Sequence, residues 1–120
     1  MDEVKILLPV KVTSKLSLNK IYSGVHWSVR CKYAEQFHTM VQMELLKQGI
    51  YRGSYIGAVE VRFKFNSNLD IDNHGYIIKM VIDGLKGYLI QDDNKKYVKK
   101  SSQEFDDTID GIEVTILKYH

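Results

Sequence analysis

Cysteine and proline each occur once, as Cys31 and Pro9, and the net charge is only +2. A lone cysteine cannot close a disulfide within the chain, which fits a reducing compartment. Lying in a helical pattern, Cys31 reads as a small buried apolar side chain. Zinc centres of the Cys/His type need more ligands than this chain spaces correctly. No apolar run approaches the length of a membrane span, and the acidic start Met1-Asp2-Glu3-Val4 does not read as a signal peptide. The expectation is a cytoplasmic protein with no membrane partner. Repeats, low-complexity tracts and linkers are absent too. With so small a net charge, affinity for nucleic acid has to come from a local patch.

What is present is ordinary for a globular domain: 120 residues, 44% apolar and 27% charged. Residues 1–120 read as one domain, long enough to bury roughly two thirds of the surface of the unfolded chain.

The patterning gives the elements. Residues 4–12 read as a strand, at an edge or ending near Pro9, because proline cannot donate to a ladder. Residues 14–24 are polar, basic and rich in turn formers, and read as a loop. Over 28–48, Tyr33, Ala34, Phe37, Met40, Val41 and Leu45 recur at helical steps, with Ser28 as cap and Gly49 as stop. His38 and Glu44 fall off that stripe and are expected to face solvent. His26 and Trp27 precede the helix, as a packing staple or a base contact, with packing the expectation.

Residues 57–65 alternate: Val59, Val61, Phe63 and Phe65 on one face, Glu60, Arg62 and Lys64 on a basic outer face. A second helix spans 73–86, capped by Asp72 or Asn73, with core stripe Ile78, Val81, Ile82 and Leu85 and a second row of Tyr76, Lys79 and Asp83. Gly84 is its weak point and Gly87 its end. Tyr88-Leu89-Ile90 is an apolar link. Residues 95–100 read as an edge strand with lysines on both faces, 101–110 as a hairpin-length connection and 112–119 as the closing strand. The order strand, helix, strand, helix, strand, strand predicts an α+β two-layer domain. Its sheet is mixed and mainly antiparallel, with two principal helices.

The chemistry gathers at Asn68-Leu69-Asp70-Ile71-Asp72-Asn73, followed by Lys79, Asp83 and Asp92-Asp93. Two charges at about 4 Å cost roughly 4 kcal/mol at an effective dielectric near 20, so gathered carboxylates ask for a cation. Seven residues are about two helical turns, which would set Lys79 on the side of Asp72. An EF-hand loop is one rival: Asp70, Asp72 and Gly75 fit its first, third and sixth positions. Val81 stands where its closing glutamate belongs, and the match fails there. Acids that hold magnesium beside a lysine-rich edge point to a nuclease. Lys95, Lys96, Lys99 and Lys100, with Arg62 and Lys64, are the expected phosphate contacts.

Asp70-x-Asp72-Asn73, then Lys79, Asp83-x-Leu85 and Asp92-Asp93, resembles the RusA family of Holliday junction resolvases. Ser17-x-Asn19-x-x-Tyr22 is similar to that family's motif near the N-terminus. The spacing from Asp72 to Lys79 is a few residues longer than the family's, with His74-Gly75-Tyr76 as the extra. The resemblance implies a protein of the bacterial cytoplasm, of host, phage or prophage coding. It implies a homodimer that binds four-way junction DNA and cuts two opposed strands using Mg2+, with Mn2+ as a substitute. Asp70, Asp72 and Asp93 would be metal ligands, with Asp92 as the alternative third ligand. Lys79 would stabilise charge on the phosphate or hold the attacking water, and Asn19 and Lys20 would touch DNA. The competing reading is a non-catalytic DNA-binding module in which the acids only turn and cap.

Overall fold

Strict alternation builds all of the sheet but one edge. In the computed structural model, which describes residues 3–120, the strands are β1 (Glu3–Leu8), β2 (Val59–Phe65), β3 (Val98–Phe105) and β4 (Ile112–Lys118). Met1 and Asp2 of the acidic start lie outside the described residues. The spatial order is β1-β4-β2-β3, with β1 and β2 antiparallel to β4 and β3 parallel to β2. Val4, Ile6 and Leu8, then Val59, Val61, Phe63 and Phe65, then Ile112, Val114 and Ile116 are buried on one face. β1 is an edge strand and ends at Leu8, beside Pro9 as expected, because Pro9 lacks an N–H and Val10 N–H turns back to donate to Leu8 O at 2.8 Å.

The edge differs from expectation. The strand read over 95–100 runs over Val98–Phe105, so it takes in half of the supposed connection, and Lys95 and Lys96 stand in the turn before it. It pairs parallel to β2 and makes no hairpin with β4. None of its residues is fully buried, so no alternation in the sequence marks it.

Three helices cover the buried face: α1 (Leu18–Tyr22), α2 (Trp27–Lys47) and α3 (Gly75–Leu85). α1 corrects the expected loop over 14–24, which holds a 3-10 turn at Ser14–Leu16 and then α1. Ser17 Oγ caps α1 by accepting from Lys20 N–H at 3.1 Å, and Ile21 drops into the core. The cap of α2 is His26 rather than Ser28: His26 Nδ1 accepts from Ser28 N–H at 3.2 Å. Trp27 is no staple, being 68% exposed, and Cys31 is exposed rather than buried. The stripe Phe37, Val41, Leu45 is buried as read.

On α3 the buried row is Ile77, Met80, Val81, Gly84 and Leu85, with Ile78 and Ile82 only half-buried. The expected stripe is rotated by about one residue because Gly84 faces α2. A Cβ on Gly84 would lie 3.2 Å from Val41 Cβ and 3.4 Å from His38 Cα. The residue read as a weak point is where the two helices close on each other. His38, expected in solvent, is half-buried beside it, and its Nε2 has no hydrogen-bond partner among the described residues. The result is the two-layer α+β arrangement with a mixed, mainly antiparallel sheet. Among the described residues no helix is long and apolar enough to cross a membrane.

Gly111 joins three strand ends. Its φ is +99°, its carbonyl accepts from Asn66 N–H at 2.9 Å, and a Cβ there would fall 2.3 Å from Leu8 O. Gly111→Ala meets both an unfavourable backbone conformation and a backbone clash. It should cost roughly 2–4 kcal/mol, read as a drop in the urea midpoint. An unchanged midpoint would show that the β1 and β4 ends part freely.

Candidate functional site

β2 delivers the chain to the acidic turn. Past Phe65, Asn66 Nδ2 donates to Ile109 O at 2.8 Å, and Leu69 N–H donates to Ser67 Oγ at 3.0 Å. Asp70 then opens a 3-10 turn, Ile71–His74, with extended backbone and no side-chain cap bond. Neither proposed cap of the following helix, Asp72 or Asn73, serves it: α3 has no side-chain cap. Asn73 Oδ1 instead accepts from Asn19 N–H at 3.0 Å, which ties the turn to the first residues of α1. Asp70 and Asp72 are exposed, and neither carboxylate has a hydrogen bond or ion pair among the described residues.

The side chain that holds this turn is His74, which sequence reasoning treated only as part of an insertion. It is 0% exposed. Its ring stacks on Phe65 at 3.9 Å between centroids and meets Phe105 edge-on at 5.5 Å. Nδ1 lies 2.9 Å from Gln103 Oε1 and Nε2 lies 2.9 Å from Ser67 Oγ. Gln103 Oε1 only accepts, so Nδ1 carries the proton, and Nε2 accepts from the Ser67 hydroxyl. One neutral imidazole thus links β2, β3 and the start of α3. Burial holds its pKa below the ordinary value, outweighing the Gln103 hydrogen bond and the Asp72 charge, which both push it up. The spacing His74, Ile77, Val81, Leu85 is a helical stripe in the sequence, and would have shown His74 as inward-facing.

The other acids are at the far end of α3. Lys79 Nζ donates to Asp83 Oδ2 at 3.4 Å, and Lys86 Nζ stands 3.6 Å from both Asp83 Oδ1 and Asp93 Oδ2. Burial works against the Lys86 ammonium, but Asp83, Asp93 and Asp92 outweigh it and hold its pKa above the usual lysine value. Asp92 is spent locally, accepting from Asp93 N–H at 2.8 Å and from Asn94 Nδ2 at 3.2 Å. Lys86 is a second site cation that the sequence reading passed over.

Topology explains the separation. β2 and β3 run parallel, so Asp70 follows the C-terminal end of β2 while Asp93 precedes the N-terminal end of β3. Seven residues of strand lie between those ends, which is about 20 Å. Asp70 and Asp72 therefore do not meet Asp92 or Asp93 within one chain. Among the described residues no three acidic, histidine or cysteine side chains could hold a metal ion together. The 3-10 turn also winds tighter than an α-helix, which offsets Asp72 from the row of Tyr76, Lys79 and Asp83.

The expected basic face of β2 is neutralised. Arg62 Nε donates to Glu60 at 2.8 Å, Lys64 stands within 4.0 Å of Glu104, Asp106 and Glu113, and Lys100 within 3.9 Å of Glu60. Lys95, Lys96 and Lys99 are exposed and have no ion pair among the described residues, Lys96 lying 5.4 Å from the Tyr97 ring. Lys20 is exposed on α1. Compared with family models, curated proteins and solved structures, the chain matches none.

The His74 clamp has a pH signature. Its folded pKa lies below the ordinary 6.5, so the unfolded chain takes up the proton first. The stability it lends is full above pH 6.5 and is lost as pH falls through the lowered folded value. Thermal melts stepped down from pH 7.5 should show that loss, and His74→Asn should be less stable at pH 7.5 and lack the His74-dependent part of the slope. Identical pH profiles for the two proteins would remove the clamp.

Proposed function

We propose that this chain is a magnesium-dependent, structure-selective endonuclease that resolves Holliday junctions as a homodimer through paired symmetric cuts. The observation that carries the proposal is the turn holding Asp70 and Asp72: two exposed carboxylates with no hydrogen bond or ion pair among the described residues, on backbone clamped by a buried histidine. Like charges two residues apart favour a bound cation. The order of motifs supports the RusA-type reading, from Ser17-x-Asn19 through Asp70-x-Asp72-Asn73, Lys79 and Asp83-x-Leu85 to Asp92-Asp93.

A three-carboxylate centre that includes Asp92 or Asp93 does not fit within a single chain. Magnesium is commonly held by one or two carboxylates together with substrate phosphate oxygens and water, and Asp70 with Asp72 fit that lesser demand. When bound, the ion supplies hydroxide near neutral pH and charge for the leaving oxygen. The remaining roles belong to side chains. Lys79 is exposed and only loosely paired with Asp83, so a phosphate oxygen competes readily for its ammonium. Lys95, Lys96 and Lys99 are the cations left over for the DNA backbone, whereas Arg62, Lys64 and Lys100 are already occupied by acids. Paired cuts need two sites, and a two-fold dimer supplies them. The second reading is a DNA-binding module that does not cut. The distance between the two acidic ends favours it.

A synthetic four-way junction separates the two. With magnesium the parent protein should cut it and with chelator it should not. Asp70→Asn and Asp72→Asn should lower cutting at least a hundredfold, while junction affinity by gel shift is kept or rises. Cutting by Asp70→Asn at the parental rate would sink the metal-turn reading, and no cutting by the parent in magnesium leaves the binding module. Sedimentation in the presence of junction should show a dimer.

The lysines have their own measurement. Lys95→Glu with Lys99→Glu should weaken junction binding and reduce the salt slope by about two. An unchanged slope would make these lysines a solvated edge that only blocks strand pairing.

A further inference from the structure

Between α1, the start of α2 and α3 lies an open cleft of about 360 Å³. Tyr22, Trp27, Arg30, Tyr76, Lys79 and Asp83 are among the side chains that line it. Tyr22 and Trp27 are 70% and 68% exposed, which is unusual for two large rings on one cleft. Neither ring contributes to the core cluster. Arg30 Nε is buried without a hydrogen-bond partner among the described residues, although Tyr76 Oη donates to the Arg30 carbonyl at 2.9 Å. Lys79 has only its 3.4 Å contact with Asp83.

We propose that this cleft seats an unpaired nucleobase of a single DNA strand. The base stacks on Trp27 and Tyr22, and its neighbouring phosphate is held by Arg30 and Lys79. Aromatic faces beside cations are the general means of holding single strands, because every base has a π face. Asp83 adds the acceptor that a base edge with N–H groups uses and that a simple anion would avoid. The cleft is at the lower end of ligand-site sizes, about 300–1,000 Å³, which suits one base and excludes a duplex. The ligand class rests on the nucleic-acid reading given above. The cleft shares Lys79 with the cutting reading, but it holds neither Asp70 nor Asp72, and binding there does not depend on cutting.

Two reporters are built in. Trp27 is the only tryptophan, and the exposed Cys31 is the only cysteine and lines the same cleft. A short oligothymidylate, added to the intact protein in chelator so that cutting does not enter, should quench Trp27 emission and slow alkylation of Cys31. A duplex of the same length at the same concentration should do neither. Trp27→Ala, Tyr22→Ala and Arg30→Ala should each weaken oligothymidylate binding by roughly tenfold in fluorescence anisotropy, with Trp27→Phe close to the parent. Tyr22 and Trp27 are exposed and Arg30 is half-buried, and circular dichroism checks that each variant is folded. The proposal is overturned if the oligomer does not bind. Binding that leaves emission and alkylation unchanged overturns it too, as does a duplex that matches the single strand. Quenching without junction cleavage would sink the nuclease reading alone, and cleavage without quenching would sink the cleft alone.

Discussion

His74 stacks on Phe65 with both ring nitrogens occupied, and the exposed acids depend on that arrangement. Among the described residues neither Asp70 nor Asp72 has a hydrogen bond or ion pair that could hold the turn. What fixes it is apolar and hydrogen-bonded: a buried ring, Ser67 just past the end of β2 and Gln103 on β3. The neutral imidazole suits this place because it satisfies one donor and one acceptor at once without carrying a charge into the core. The same clamp sets the start of α3, hence the position of Lys79 and of the cleft that Lys79 lines.

The parallel pairing of β2 with β3 is the second constraint. A parallel connection must travel back along the sheet, and here α3 makes that journey. Residues that are near in the sequence pattern, Asp72 and Asp92, are thereby carried to opposite ends of the domain. The spacing of the acids suggested one cluster, but spacing holds no information about whether two neighbouring strands are parallel. With β3 taken as half of a hairpin, the separation was invisible.

What could be read in advance was whatever one-sided burial writes into the chain. β2 and β4 alternate because one face meets the helices, and both were legible almost residue for residue. α2 was legible through Phe37, Val41 and Leu45. β3 was not, since an edge strand with no buried side has no reason to alternate. α1 is only five residues long and stands by its Ser17 cap and one buried isoleucine, too little for periodicity. The phase of α3 was misjudged because Gly84 has no hydropathy that would betray its burial against Val41. Asp70 and Asp72 were found as acids in a turn, but His74, Lys86 and the exposure of Trp27 come from tertiary packing.

The placing of β4 has a consequence for how the chain acquires its shape. β4 pairs with β1 on one side and β2 on the other, so Glu3 faces Leu117 and Val59 faces Lys118. The first strand has no hydrogen-bonded neighbour until the last has been made. Pairing of β1 with β4 is a long-range contact that spans nearly the whole described chain. Contacts so distant in sequence slow folding, because the loop between them has to be ordered before any pairing repays it. Gly111, in the short link that starts β4, stands where the end of β1 closes on β4, so the long-range pairing depends on a residue without a side chain there.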